Sequence, residues 1–251
     1  MHLTTKALVL REVNYKESDK ILTVLTAAEG KLTVSARGCR RRNSPIAAAS
    51  QLLVWSEMTL YEYQGRWAIR EAVTERQFTG VRADLEKLAL ASCFAEVTET
   101  LAEEGQPEPG LLSLILNCLH ALEKLDLSPR QIKAAFEWKA MALAGYEPMC
   151  DSCAVCGRPD PEDPRIHLGE GVVHCASCRD GVGDGVAMPL TPAALAALRH
   201  IVLGDPKRLL SFQLDEKSLS QLGDAAEAYL MTRLERGFRT LDFYKSLTLE
   251  T

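Results

Sequence analysis

Two closely spaced cysteine pairs constrain the fold of this chain more than any other feature of its sequence. Cys153 and Cys156 form the first pair, Cys175 and Cys178 form the second, and 18 residues separate the two pairs. A gap of two residues lets both thiolates of a pair reach one metal ion from a tight turn, and two such pairs complete a tetrahedral zinc site. Because sulfur fills all four positions, the spacing predicts one structural Zn²⁺ ion, held in a segment at about residues 147–187.

Disulfides and unligated core thiols are the alternative interpretations of these cysteines. The chain has eight cysteines, an even number, but five of them lie between residues 150 and 178. The N-terminus carries Lys6 and no long apolar run, which is unlike a secretory signal peptide. We therefore infer a cytoplasmic protein, in which clustered cysteines favour metal over disulfides. Cys150 is expected to serve packing, and His174 is expected to lie at the surface or beside the ligands.

Residues 3–77 have the pattern of short β-strands. The strand-like runs cover residues 6–13, 21–26, 31–36, 51–63 and 66–74. Gly30 and Gly65 lie in the short connections of two hairpins. Several short strands at regular spacing in so short a segment indicate a small closed barrel. We predict a five-stranded Greek-key barrel of the oligonucleotide/oligosaccharide-binding (OB) type, an OB-fold domain over residues 1–80.

After Phe78 the apolar residues recur at helical spacing. Ser128 and Pro129 are typical of a helix start, and Gly145 is typical of a helix end. The expected helices cover residues 85–101, 111–125, 129–143, 192–202 and 218–240. The helices on either side of the cysteine segment are expected to pack together. The fold class is therefore α+β: the barrel is followed by an all-helical domain, residues 81–251, with the four-cysteine zinc element as an insertion at about residues 147–187.

The charge is distributed unevenly along the chain. Its formal net charge is −5. Residues 1–80 hold 12 Lys and Arg against 8 Asp and Glu, so that this part carries +4 and the remainder −9. A basic module joined to an acidic one suggests that the first part binds a polyanion. A charge excess of this size is also compatible with chance.

A basic loop follows the third strand-like run. It contains Arg37, Arg40, Arg41 and Arg42, and a guanidinium binds phosphate oxygens in a bidentate manner. The alternative is a solvated loop that protects a barrel edge from aggregation. Should the loop not bind phosphates, a second candidate surface carries Lys6, Lys16 and Lys20.

Aromatic residues accompany this basic charge. They are Tyr15, Trp55, Tyr61, Tyr63 and Trp67. Bases can stack on such side chains, although Trp55 and Trp67 lie in apolar runs and are more often part of a core. The sequence shows no phosphate-binding glycine loop, nucleophile elbow or two-histidine zinc motif. We therefore expect a protein that is not an enzyme.

Several sequence segments together resemble the bacterial RecO family of recombination mediators over nearly the whole chain. The N-terminal segments are Thr5-Lys6-Ala7-Leu8-Val9-Leu10, Tyr15-x-Glu17-Ser18-Asp19-Lys20-Ile21-Leu22, Leu25-Thr26, Glu29-Gly30-Lys31 and Ala36-Arg37-Gly38 with the arginines that follow. The later segments are Ala144-Gly145-Tyr146-Glu147-Pro148, Cys153-Ala154-Val155-Cys156-Gly157 and Cys175-x2-Cys178. The order and spacing of these pieces, rather than any single one, make the resemblance specific. Cys150 departs from it, because an aliphatic residue is usual there.

The resemblance implies an OB-fold barrel, a helical domain with a zinc element, and a role in DNA repair and recombination at the nucleoid. Such proteins bind single- and double-stranded DNA and anneal complementary strands. With RecR and the tail of single-stranded DNA-binding protein (SSB), they help load RecA onto coated DNA, as part of the RecFOR pathway. By motif, the four arginines would contact the DNA backbone and the four cysteines would bind zinc. Arg130 and Lys133 share one helix face, where we expect them to suit an acidic tail.

Two other functions remain open from the residues alone. A zinc-ribbon adaptor would join proteins without binding nucleic acid, but the basic N-terminal third argues against it. A thiol-redox enzyme would need an exposed Cys-x2-Cys pair of low pKa. Zinc ligation would occupy both pairs and exclude that chemistry.

Overall fold

The computed structural model describes residues 2–248. Met1 and residues 249–251, which the predicted domain ranges include, lie outside the described residues. Contacts group the chain into two compact units. The first unit runs to Leu125 and includes the segment from Phe238 onward, and the second is Asp126–Gly237. The predicted domain boundary near residue 80 stays a prediction. The contacts place the helices between residue 80 and Leu125 in the same unit as the barrel.

Five strands of the first unit form a closed barrel with the order β1-β2-β3-β5-β4. They are β1 (His2–Tyr15), β2 (Asp19–Thr26), β3 (Gly30–Ala36), β4 (Trp55–Tyr63) and β5 (Arg66–Arg76). Neighbouring strands are antiparallel except β3 and β5, which run parallel. A five-stranded closed Greek-key sheet is the OB-type architecture, so the predicted barrel is confirmed. Residues 51–54, which we expected to extend β4, precede it as turns, with Leu53 at a positive φ.

The barrel core follows from the alternation of side chains along each strand. Residues of β3 alternate between buried and more exposed positions, as a half-buried strand requires. The inward set includes Ala7, Val9, Leu22, Val24, Val34, Met58 and Leu60. β1 departs from this alternation, because all residues from Ala7 to Leu10 are buried. A helix of the same unit packs against β1, so this strand is covered on both faces.

Seven α-helices lie within the described residues. They are α1 (Thr79–Arg82), α2 (Leu85–Leu101), α3 (Pro109–Lys124), α4 (Pro129–Leu143), α5 (Pro192–Leu203), α6 (Glu216–Leu234) and α7 (Arg239–Thr248). α2 covers β1 and packs against α3 and α7. Asp84 caps α2 by accepting a hydrogen bond from the backbone N–H of Lys87. Ser128 precedes α4 as predicted, but its side chain makes no capping hydrogen bond.

The second unit contains α4, α5 and α6, which pack against one another. Trp138 of α4 and Tyr229 of α6 lie with their ring centroids 5.0 Å apart. The cysteine segment lies between α4 and α5, so the predicted insertion in a helical unit is confirmed. It contributes a three-stranded sheet, in the order β7-β6-β8, from β6 (Arg165–His167), β7 (Val172–His174) and β8 (Ala187–Pro189).

The single helix expected over residues 218–240 is wrong. α6 ends at Leu234, and α7 starts at Arg239 and belongs to the first unit. Glu235 has a φ of 51°, a left-handed conformation that ends a helix, and Gly237 follows two residues later. Phe238 is buried. The apolar spacing continues through this break, which is why the spacing alone predicted one helix.

The expected basic patch on α4 is also wrong. Lys133 is buried and contacts Glu137 and Glu227 at 2.9 and 2.8 Å. The burial of Lys133 disfavours its charged form, but the two carboxylates outweigh this effect and raise its pKa. Arg130 is paired with Glu216. Both cations are therefore neutralised by neighbouring acids rather than presented together to an acidic tail.

The turn between β2 and β3 generates a prediction about Gly30. This glycine has a φ of +62°, and a Cβ there would lie 1.7 Å from the backbone oxygen of Gln106. Gly30→Ala should therefore lower the free energy of unfolding by at least about 2 kcal/mol, through backbone strain and the clash together. Urea denaturation followed by circular dichroism measures the change.

Gly65→Ala is the matched control. Gly65 lies in the other hairpin at a φ of +72°, with no atom within 4 Å of an added Cβ. Gly65→Ala should lower the free energy of unfolding only by the strain of the left-handed conformation, about 1 kcal/mol. Equal losses in the two variants would show that the close approach of Gln106 contributes nothing.

Candidate metal centre and basic loop

The four paired cysteines converge in the second unit. The sulfur atoms of Cys153, Cys156, Cys175 and Cys178 all lie within 4.8 Å of one another, and this cluster can hold a metal ion. The sulfurs of Cys156 and Cys175 are 3.8 Å apart. A tetrahedral site with metal–sulfur bonds of about 2.3 Å places its sulfurs about 3.8 Å apart. A disulfide would need about 2.05 Å, so the spacing of these sulfurs fits a metal rather than a covalent bond.

Tight turns aim the sulfurs of each pair at one point. In the first pair, the backbone N–H of Gly157 donates to the carbonyl oxygen of Cys153 at 2.9 Å, and Gly157 has a φ of +71°. This is a left-handed conformation, which glycine adopts at little cost. In the second pair, the N–H of Cys178 donates to the carbonyl of Cys175 at 3.0 Å. Each pair therefore presents two sulfurs from one turn.

The surroundings of the clustered cysteines set the pKa values of Cys153 and Cys178 apart. Burial raises the pKa of the Cys153 thiol, but backbone N–H groups, chiefly those of Cys156 and Cys175, outweigh it and lower that pKa to about 6. Burial, together with the neighbouring sulfurs of Cys156 and Cys153, raises the pKa of Cys178 to about 12. Four thiolates this close repel one another unless a cation lies among them. The donor set is thus suited to a metal ion, which would hold all four as thiolates.

Two neighbours of the cluster do not belong to it. His174 is fully buried, which excludes a position at the surface, and its Nδ1 lies 2.8 Å from the carbonyl oxygen of Cys175. It therefore contacts the backbone of a candidate ligand without joining the sulfurs. Cys150 is buried, as expected for a packing residue, and burial raises the pKa of its thiol to about 11.

An arginine that the sequence did not single out binds the chain around the first cysteine pair. Arg199 of α5 donates from Nε to the carbonyl oxygen of Cys150 at 2.7 Å and from Nη2 to that of Asp151 at 2.9 Å. Nη2 also donates to the carbonyl of Pro159. These carbonyls lie before and after Cys153 and Cys156. A guanidinium offers several donors in one plane, so Arg199 joins both ends of this turn to α5. No sequence signal marks such a role.

The basic loop lies on the barrel, between β3 and β4. Its side chains Arg37, Arg40, Arg41 and Arg42 are exposed. Cys39 and Ile46 of the same connection are buried in the barrel core. The connection is therefore anchored by apolar side chains while its arginines face solvent.

The turn between β1 and β2 lies beside this loop. The backbone N–H of Arg40 donates to the carbonyl of Ser18 at 3.0 Å, and its Nη1 donates to the carbonyl of Lys16 at 3.3 Å. The exposed Lys16 extends its Nζ over the ring of Tyr15, 5.3 Å from the centroid. The structure thus brings Lys16 and an exposed aromatic side chain next to the arginines.

Lys6 and Lys20 do not join that group as free cations. Lys6 pairs with Glu75 at 2.9 Å, and Lys20 pairs with Glu12 at 2.9 Å. The side chain of Lys20 is only 16% exposed. Lys6 is also separated from the β1–β2 turn by most of the length of β1, about 30 Å at 3.3 Å per residue. Lys20 lies near the loop, because it pairs with Ala36, but its ammonium group is engaged by Glu12 and by the carbonyl oxygen of Ser50. Lys16 is therefore the lysine of the second candidate surface that is exposed beside the arginines.

The remaining aromatic residues divide between core and surface. Trp67 packs against the barrel core, as we expected of it. Tyr63 is exposed and Tyr61 is half-buried. Trp55, which we also expected in the core, is half-buried and lines a cavity of about 370 Å³ in the first unit. That cavity is lined by Trp55, Glu75, Arg76, Phe78, Leu116, Asn117 and His120, a combination that no sequence motif indicated.

No helix within residues 2–248 is both long and apolar enough to cross a membrane.

Two family models together match nearly the whole chain. The model described as "Recombination protein O N terminal" matches residues 1–78, and the one described as "Recombination protein O C terminal" matches residues 82–242.

Curated relatives agree with these matches. A DNA repair protein RecO from Acetivibrio thermocellus is 33% identical over 246 residues, which cover 98% of this chain and 97% of that protein. The protein of the same name from Desulforudis audaxviator is 33% identical over 98% of each chain. That of Alkaliphilus metalliredigens is 26% identical over 98% of this chain and all of its own.

The contacts of Arg199 generate a prediction about metal retention. Arg199→Ala should speed the release of bound metal to a chelator by about tenfold, because outer contacts of this kind typically change metal affinity by 10- to 100-fold. Stopped-flow mixing with a chromogenic chelator measures the rate. Arg158→Ala is the control, since Arg158 lies beside the same turn but its side chain pairs with the exposed Glu162. A release rate unchanged in Arg199→Ala would contradict the role of these contacts.

Proposed function

This chain belongs to the recombination protein O (RecO) family of DNA repair proteins, and from that premise we propose that it acts as a DNA-binding recombination mediator. It binds single- and double-stranded DNA through the barrel and anneals complementary strands. With RecR, it helps load RecA onto single-stranded DNA coated by SSB. These steps require binding and no covalent chemistry, so the proposed role is not that of an enzyme. Its place of action is the cytoplasm, at the nucleoid.

The observation that carries the DNA-binding proposal is the exposed arginine loop fastened to the barrel. Arg40 uses its guanidinium on a neutral carbonyl oxygen, that of Lys16. Its positive charge is therefore not cancelled by an acid at that contact, and a phosphate can share it. Arg37, Arg41 and Arg42 extend the same exposed segment. Lys16 and Tyr15 add a cation and a stacking surface beside it.

Annealing follows from the same electrostatics. Two strands of DNA repel each other through their phosphates, and a protein that neutralises phosphates lowers this repulsion. Contacts to the backbone leave the base edges free to pair, and they carry no sequence preference. An arginine loop that binds phosphates rather than bases suits a mediator that must act on any sequence.

We further propose that the four cysteines bind one Zn²⁺ ion. Four thiolates with this spacing are typical of structural zinc sites, in which no coordination position remains open for substrate. The metal would join the two cysteine turns, which otherwise lie in a segment with little regular secondary structure. Its role is to stabilise the inserted element, and this occupation of both pairs argues against thiol-redox chemistry.

The partners RecR, SSB and RecA belong to the proposal without assigned residues. Arg130 and Lys133, the pair on α4 that we expected to bind the tail, are neutralised by acidic residues of their own unit. The acidic SSB tail would therefore have to meet other cations of this chain.

Replacing the arginine loop tests the DNA surface. The triple variant Arg40→Ala, Arg41→Ala and Arg42→Ala should weaken binding to single-stranded DNA about equally for all sequences. The slope of log affinity against log salt concentration should become shallower by roughly 0.7 for each phosphate that the variant no longer neutralises. Fluorescence anisotropy over a salt series measures both quantities.

A control variant with the same loss of charge distinguishes an effect of the arginine loop on DNA binding from an effect of net charge. Lys6, Arg66 and Arg70 are also exposed on the barrel, and their replacement by Ala removes three positive charges elsewhere. This control should change the slope much less than the loop variant. A larger effect in the control, or an unchanged slope in the loop variant, would move the DNA surface away from the arginine loop.

Metal analysis tests the zinc proposal. Purified protein should contain about one zinc per chain, and Cys153→Ser should lower this content because it removes one of four ligands. Cys150→Ser is the matched control, since Cys150 is buried nearby but is not among the clustered sulfurs, and it should retain the metal. Folded protein without metal, in which all four thiols titrate freely, would refute the site.

A further inference from the structure

Asp19 is an acidic residue in a surface that is otherwise suited to bind a polyanion. It opens β2, and its carboxylate Oδ1 accepts a hydrogen bond from the backbone N–H of Gly38 at 2.7 Å. The hydroxyl of Ser18 donates to the same oxygen at 3.0 Å. The Gly38 N–H, then the Ser18 hydroxyl, lower the pKa of Asp19, and the charges of Lys16 and Arg41 act in the same direction. The carboxylate is therefore ionised and fixed in place.

Gly38 is the residue at which the arginine loop turns away from β3. The last paired residues of β2 and β3 are Lys20 and Ala36, so the contact between Asp19 and Gly38 continues this pairing beyond the strand end. Gly38 has a φ of +67°, a conformation that reverses the chain direction at little cost for glycine. Its carbonyl then accepts from the N–H of Arg41 at 3.1 Å. The first turn of the loop is thus closed on both sides of Gly38.

Two accounts of Asp19 predict opposite effects on DNA affinity. If charge alone mattered, removing a carboxylate beside arginines would strengthen binding to phosphates. If the carboxylate holds the loop, its removal leaves the N–H of Gly38 without this acceptor and frees the backbone that carries Arg40 and Arg41. DNA binding would then have to order that backbone again, and this ordering costs conformational entropy.

We propose that Asp19 is a positioning residue for DNA binding: its carboxylate binds the N–H of Gly38 and holds the arginine loop in the conformation that meets the phosphate backbone. This inference rests on the proposed DNA-binding function of the loop. The gain from a preformed loop outweighs the repulsion between one carboxylate and the DNA, because that repulsion is screened by salt and by the arginines.

Three variants of the full-length protein test this role against single-stranded DNA at fixed salt. Asp19→Ala should weaken binding about fivefold. Asp19→Asn should restore most of the affinity, because its amide oxygen can accept from the Gly38 N–H without the charge. Glu17→Ala is the charge control, since Glu17 is an exposed acid in the same turn, and it should bind as well as or slightly better than the wild type. Hydrogen exchange should show a less protected Gly38 amide in Asp19→Ala alone.

The outcomes separate this inference from the function on which it rests. Tighter binding by Asp19→Ala, equal to the gain in Glu17→Ala, would overturn the positioning role and leave the DNA-binding function intact. If the triple arginine variant binds DNA as the wild type does, both proposals fail together. If Asp19→Ala does not fold, Asp19→Glu decides: it keeps the charge but displaces the acceptor, so positioning predicts weaker binding and charge alone predicts no change. Wild-type affinity in Asp19→Glu would then overturn the inference.

Discussion

Closure of the barrel by the parallel pairing of β3 with β5 is the constraint on which the basic surface depends. The pairing joins Val34 to Trp67 and Ser35 to Ala68. β4 follows β3 along the chain, but it pairs with β5 and β1 and not with β3. After β3, the chain must therefore cross to a strand that is not its neighbour in the sheet. That crossing is made by residues 37–54, which bury Cys39 and Ile46 in the barrel core. The arginine loop is the solvent-facing part of a connection that the topology requires.

Local ion pairs then decide which cations of the barrel remain available. Lys6 forms an ion pair with Glu75 and Lys20 forms one with Glu12, so their charges are largely compensated. Arg40 contacts a carbonyl oxygen instead, which orients the guanidinium without cancelling its charge. A sum of charges along the sequence treats these cations as equal, whereas the folded barrel does not. A net excess of a few positive charges becomes a localised basic surface in this way.

In the second unit, polar contacts add to the apolar packing of the inserted element, in which Ile166, Leu168 and Val173 are buried. Its three strands have three residues each, too few for a stable sheet alone. The convergence of four sulfurs supplies one constraint. The three carbonyl contacts of Arg199 supply another, because they join the chain before and after the first cysteine pair to α5. The turn that carries the first cysteine pair is thereby connected to α5 through one side chain.

The sequence alone predicted most of the local elements and the four cysteines whose sulfurs converge, because strand alternation, helical spacing, the glycine turns and the cysteine spacing are all short-range patterns. It also indicated the barrel and the arginine loop. Only the tertiary structure decided how cations and acids pair, since partners such as Lys133 and Glu227 lie far apart in sequence. The same holds for Arg199, Asp19 and α7, whose contacts depend on distant residues that come together only when the chain folds.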